Sequence, residues 1–86
     1  MYFWRGSLYQ KVGDHRKAIA DFTVDIKLQS PESADIHRYR ADSYLALKNK
    51  AAAIKDLQNA IQLYKKMGPD ADSLLRVTMN DLAKLK

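Results

Sequence analysis

The chain has 86 residues, a formal net charge of +5 and 47% apolar residues, which confines it to one small domain and argues against disorder. It contains no cysteine, so a disulfide framework, a thiolate zinc site and a cysteine nucleophile are all excluded. No apolar run approaches the ~18 residues of a membrane span, and the opening MYFWRG lacks the basic start of a signal peptide; the expected location is cytoplasmic.

Gly and Pro number only three and two, and helix-favouring residues dominate, so an all-helical chain is expected. Breakers divide it into five segments with helical spacing, near 2–12, 15–29, 31–47, 50–66 and 71–85. The first opens on three successive aromatics, Tyr2, Phe3 and Trp4, without an N-cap. Successive residues of a helix point about 100° apart, so the three cannot all turn inward; Tyr2 is assigned to the core. Gly13-Asp14 follows, a glycine for the left-handed stop and an aspartate for the next N-cap. In the second segment Ala18, Ile19, Phe22 and Ile26 share one face. Ser30-Pro31 then supplies a serine N-cap and a proline at the first helical position. Lys48-Asn49-Lys50 forms the turn after the third segment. Ala53, Ile54, Leu57, Ala60, Ile61 and Tyr64 make the apolar face of the fourth. Gly68-Pro69-Asp70 ends it, and Ala71, Leu75, Thr78, Leu82 and Leu85 form a narrower stripe on the fifth. Connections this short make neighbouring helices antiparallel.

The string AIADF at 18–22 returns as AIKDL at 53–57, an offset of 35 residues that holds well beyond those letters. Arg5-Gly6 falls on Arg40-Ala41, Tyr9 on Tyr44, Val12 on Leu47, Asp14 on Asn49 and Asp21 on Asp56. Arg5 and Asp21, like Arg40 and Asp56, stand 16 residues apart in both halves. That recurrence predicts an arginine on the first helix of each pair bonding the aspartate on the second, or a neighbour such as Asp25. A helix–turn–helix unit with a period near 34 resembles the tetratricopeptide repeat. The resemblance is to the bacterial-type subclass with Arg-Gly in the first helix and Ala-Ile-x-Asp-Phe in the second.

The resemblance implies an all-α, right-handed superhelical stack of antiparallel helix hairpins, an α-solenoid. Repeat one is expected at about 1–32, repeat two at about 33–67, and a C-terminal capping helix at about 70–86. Asp72, Arg76, Asn80, Asp81, Lys84 and Lys86 give that last helix the polar outer face of a cap. Small Gly6, Ala18, Ala41 and Ala53 should let the paired helices approach, with Tyr9, Tyr44, Phe22 and Leu57 filling the space alongside. Three departures stand out. Pro31 comes one residue late, Lys48 replaces the turn glycine, and Asp25 replaces a small alanine that faces the next repeat. A buried carboxylate needs a partner, and Arg40 or His37 is the one expected for Asp25.

Catalysis and cofactors are not expected. His15 sits beside Arg16 and Lys17 after a turn, as a solvated histidine would, and His37 occupies a position the family often gives to a packed ring. No nucleophile–base pair or metal-ligand set can be named. Asp70 and Asp72 lack the further ligands and glycine of a calcium loop.

The family resemblance instead implies a protein-interaction or scaffolding module that binds a peptide or helix on the concave side, lined by the first helix of each pair. The expected groove residues are Phe3, Ser7, Gln10 and Lys11, then Arg38, Asp42, Leu45 and Ala46, then Arg76 and Met79. Arg38 and Asp42, four apart, are expected to form an ion pair. Members that read chaperone tails clamp a terminal carboxylate with a lysine and asparagines; Phe3, Ser7, Arg38 and Asp42 stand there instead, so that ligand is not expected. Phe3 and Trp4, uncapped at the N-terminal edge, point to self-association as a homo-oligomer, with fraying of residues 1–4 as the competing reading. The alternative function is binding of nucleic acid or an anionic surface through a basic edge. Lys11, His15, Arg16 and Lys17 would contribute from the first turn, and Lys48, Lys50 and Lys55 from the second. No interleaved aromatic residue supports base stacking there.

Overall fold

The computed structural model describes residues 2–28 and 34–85, with the Tyr2 side chain and the Ser30-Pro31 cap outside the described residues. Its helices are α1 (Tyr2–Lys11), α2 (His15–Leu28), α3 (Ala34–Ala46), α4 (Lys50–Met67) and α5 (Asp72–Leu85). A 3-10 turn, Pro69–Ala71, replaces the expected start of the fifth helix at residue 71. Proline there lacks an N–H, so the chain tightens for one turn before the α-helical ladder begins.

The turns between α1 and α2 and between α3 and α4 are built alike. Asp14 accepts the Ala18 amide on its carbonyl at 3.1 Å and the Lys17 amide on its carboxylate at 3.3 Å. Asn49 does the same for Ala53 at 3.2 Å and Ala52 at 3.3 Å. Each side chain thereby satisfies one orphan donor of the following helix, while the carbonyl accepts its first regular bond. The turns differ one residue earlier. Gly13 takes φ +87° without a side chain to strain, whereas Lys48 is held at φ +63°, a conformation that costs an L-residue about 1–2 kcal/mol.

Helices that follow one another in the chain pack on one another, and α1 also touches α3. Ala18, Phe22 and Ile36 are buried together, with Phe3, Tyr9 and Ile26 packed against them. One repeat later, Ala41, Ala53 and Leu57 form the matching cluster with Tyr44, Leu45, Leu82 and Leu85. Ala34, Ala60, Tyr64 and Ala71 join α3, α4 and the 3-10 turn before α5. Gly6 explains how α1 reaches α2: a Cβ there would lie 2.8 Å from Phe22 Cε1. In the second repeat the smaller Leu57 leaves room for Ala41, so the pair of sizes is conserved between repeats while the individual residues are exchanged.

An arginine–aspartate fork braces each hairpin. Arg5 Nε and Nη2 donate to the two Asp21 oxygens, both at 2.8 Å. Arg40 Nε and Nη2 donate to Asp56 at 2.8 and 2.6 Å. The second fork is more deeply set and better connected. His37 Nδ1 lies 3.2 Å from Asp56, and Arg40 Nη1 donates to Thr23 Oγ1 at 3.0 Å, tying the second repeat to the first. Burial alone would raise the Asp56 carboxyl, but the bonds from Arg40 and His37 outweigh it and hold it below its ordinary value.

Arg40 and His37, the partners expected for Asp25, bond to a different carboxylate. Asp25 is buried, yet Arg40 and His37 both turn to Asp56. Asp56 lies on the helix paired with α3 and accepts both forked donors of Arg40, while the remaining Nη1 donates to Thr23.

Candidate binding groove

Where α1 meets α3 the sequence supplies aromatic rings from three helices. The Phe3 ring packs edge-on against Tyr39 with centroids 5.3 Å apart and tilted against Phe22 at 6.2 Å. Tyr39 in turn stacks on Phe22 at 6.2 Å. Below them Gln10 Nε2 donates to the Tyr39 carbonyl and to Ser43 Oγ, each at 2.8 Å, and His15 Nδ1 approaches the same hydroxyl at 3.1 Å. These bonds fix the separation of α1 from α3. Above them a hollow of about 360 Å³ opens, with Phe3 and Tyr39 as its aromatic wall and Ser7, Gln10 and Lys11 along α1; Trp4 and Leu8 also line it.

The groove residues expected from α1 therefore lie together, and the structure adds Tyr39, which the sequence reading passed over. Its signal was present: Tyr39 follows Trp4 by the repeat offset of 35. The residues expected from α3, Arg38, Asp42, Leu45 and Ala46, do not line this hollow. Arg38 Nη1 donates to the Tyr64 hydroxyl at 3.4 Å, and that hydroxyl donates to Asp35. The expected Arg38–Asp42 ion pair does not form among the described residues, because Arg38 reaches across to α4 instead. Burial raises the Asp42 carboxyl, Arg38 partly offsets this, and the charge of Asp81 adds to the rise. Leu45 packs in the cluster around Ala53 and Leu57. Ala46 and Arg76 are exposed, and Met79 borders a separate apolar hollow of about 220 Å³ with Ile61, Leu82 and Ala83.

At the turn edge Lys11, Arg16, Lys48, Lys50 and Lys55 are exposed. Lys17 pairs with Asp14 at 3.7 Å and lies over the Tyr9 ring at 5.5 Å. Two of the seven basic-edge residues, His15 and Lys17, are thus engaged within the protein. Among the described residues no group of three or more potential ligands could hold a metal ion, and no helix is long and apolar enough to cross a membrane.

No curated protein and no solved structure matches the chain significantly. The tetratricopeptide repeat profile matches residues 1–23 and 40–67. The two matched stretches contain both arginine–aspartate forks, both helix-to-helix turns and the small residues at each hairpin crossing. The unmatched stretch between them holds Asp25 and Pro31, where the repeat departs from its family pattern. Covering more than half of the chain and coinciding with its structural repeat, this match establishes that the chain belongs to the tetratricopeptide repeat family.

Proposed function

We propose that this chain is a protein-interaction module, a superhelical stack of two repeats and a capping helix, that binds a short peptide or helix in the groove between α1 and α3. The carrying observation is the hollow itself: an aromatic wall of Phe3 and Tyr39 over a polar floor, with exposed Lys11 at its rim. An apolar side chain of the ligand fits against the rings, and a carboxylate nearby is attracted by Lys11. Pockets with a few polar groups in a mainly apolar lining are typical of such recognition. The groove is small beside a standard interface of about 1,600 Å², so micromolar affinity is expected.

The test is a peptide-display screen followed by binding measurements with Ser7→Glu and Lys11→Glu. Both substitutions leave the buried core untouched. Loss of at least tenfold in affinity on Ser7→Glu supports the groove; a partner indifferent to both changes refutes it. Recovery of RNA instead, with affinity falling steeply as salt rises, would transfer the function to the lysine edge.

A further inference from the structure

At His37 the bracing of the second hairpin meets the surface. Its Nδ1 lies 3.2 Å from Asp56, and its side chain is 8% exposed. Asp56 is held ionised by the Arg40 fork. A carboxylate only accepts, so the hydrogen between the two groups belongs to Nδ1, and in the neutral ring Nε2 is the acceptor. Among the described residues nothing donates to Nε2, and yet no buried side-chain nitrogen or oxygen there lacks a partner. Nε2 is therefore not sealed in the core. It opens where the ring borders a hollow of about 280 Å³ between α2 and α4.

Ile26 of α2 and Leu63 of α4 give this hollow its apolar sides, and Asn59, Gln62 and Lys66 edge it along α4. The last three are exposed and stand at i, i+3 and i+7, on one face of the helix. Among the described residues none of these three side chains bonds to another protein group. The repeat offset sets the hollow apart from the packing that both hairpins share. Positions 59, 62 and 66 correspond to Val24, Lys27 and Pro31, so the polar set belongs to the second repeat only.

The lining defines what fits. Nε2 calls for an O–H or N–H donor. Lys66, the charged residue of the lining, has three donors and no acceptor and calls for an anionic oxygen. The two amides offer both donors and acceptors and can orient a ligand between these ends. The hollow is smaller than the roughly 300–1,000 Å³ of drug-sized pockets, which confines donor and anion to one compact group. We infer that it is a binding site for a carboxylate with a neighbouring hydroxyl or amide N–H, free as a small hydroxy acid or carried on a peptide. His37 accepts the donor, Lys66 faces the carboxylate, and Asp56 with Arg40 holds the ring in the accepting tautomer. The site shares no residue with the groove between α1 and α3, so it goes beyond that reading and stands or falls apart from it.

The test is NMR on the full, isotopically labelled chain, with lactate as probe and acetate and lactamide as its counterparts lacking the donor or the charge. Long-range nitrogen–proton correlations near pH 8 should show His37 protonated at Nδ1 and bare at Nε2; hydrogen on Nε2 overturns the assignment. Lactate should move the Nε2 resonance and the Asn59 and Gln62 amides, with a dissociation constant on the order of 1–10 mM for so small a molecule. Acetate and lactamide should bind at least fivefold more weakly. Equal affinity for all three overturns the proposal, and so do shifts confined to the turn-edge lysines. Lys66→Glu, at an exposed position, should weaken lactate at least fivefold, Lys66→Arg should retain it, and Lys50→Glu should change nothing. Loss of lactate binding on Ser7→Glu would put the ligand in the other groove and overturn this site. An acetylated, amidated tetrapeptide with serine beside aspartate separates the two sources. The same shifts at tenfold lower concentration assign the site to a peptide segment, and shifts from lactate alone assign it to a free hydroxy acid.

Discussion

Asp56 is the residue whose loss should cost most per atom removed. It takes a bidentate fork from Arg40 and a third contact from His37, and its side chain is 3% exposed against 16% for Arg40. Asp56→Ala removes these acceptors at once and strands a largely buried guanidinium with Thr23 as its remaining hydrogen-bond partner in the fork. Truncating one member of a buried pair costs about 3 kcal/mol. Arg40→Ala should cost about the same, because it leaves a buried carboxylate with His37 alone. The double variant should lose only about 3–4 kcal/mol, since no unpaired charge remains, giving a coupling of about 2 kcal/mol. The Arg5–Asp21 fork has similar bond lengths, but its arginine is 53% exposed. Water replaces much of what is lost there, so a coupling of about 0.5–1 kcal/mol is expected. Total stability for a domain of this size is roughly 5–10 kcal/mol, so every variant should still fold in buffer. Urea unfolding followed by circular dichroism reads both cycles, with midpoint shifts of about 2–3 M for the Asp56 and Arg40 single variants at a slope near 1 kcal/mol per molar. Additive losses at Arg40 and Asp56, or equal couplings in the two forks, would refute the reasoning that burial sets their worth.

The pH dependence follows from the same pair. Because the folded-state Asp56 pKa lies below its ordinary 3.8, its contribution is complete above that value and is lost as pH falls through the folded pKa. The stability gap between wild type and Asp56→Asn should therefore narrow between pH 5 and pH 2, an acid-range urea series being the measurement; a constant gap would contradict the lowered pKa. Gly6→Ala should lower stability by about 1–2 kcal/mol, because the new methyl would meet the Phe22 ring at 2.8 Å. A Phe22→Leu background, copying Ala41 opposite Leu57, should abolish that penalty in thermal melts, and a Gly6→Ala protein more stable than wild type would show the crossing to be loose. Lys48→Gly should raise stability by about 1 kcal/mol by relieving the left-handed lysine, read as a higher urea midpoint, whereas Asn49→Ala should lower it by about 1 kcal/mol through loss of the cap.

The sequence by itself determined the number and type of elements, because helix period, breakers and caps act over a few residues. Gly13, Asp14 and Asn49 perform at their turns the roles their chemistry prescribes. It also pointed to the forks through a repeated spacing of 16, while leaving Asp25 open as another acceptor. Tertiary structure decided the rest. Which way a side chain on α3 faces depends on the rotation of that helix between two neighbours, and local periodicity does not set this. Thus Tyr39 came to the groove and Arg38 turned to Tyr64. Arg40 and His37 likewise turned to Asp56 on the paired helix, and how the packed helices face one another is not set by local periodicity. The hollow beside His37 needed both kinds of information. Sequence placed a packed ring at position 37, and only the packing of α2 and α4 around it showed one nitrogen bonded to Asp56 and the ring bordering a hollow.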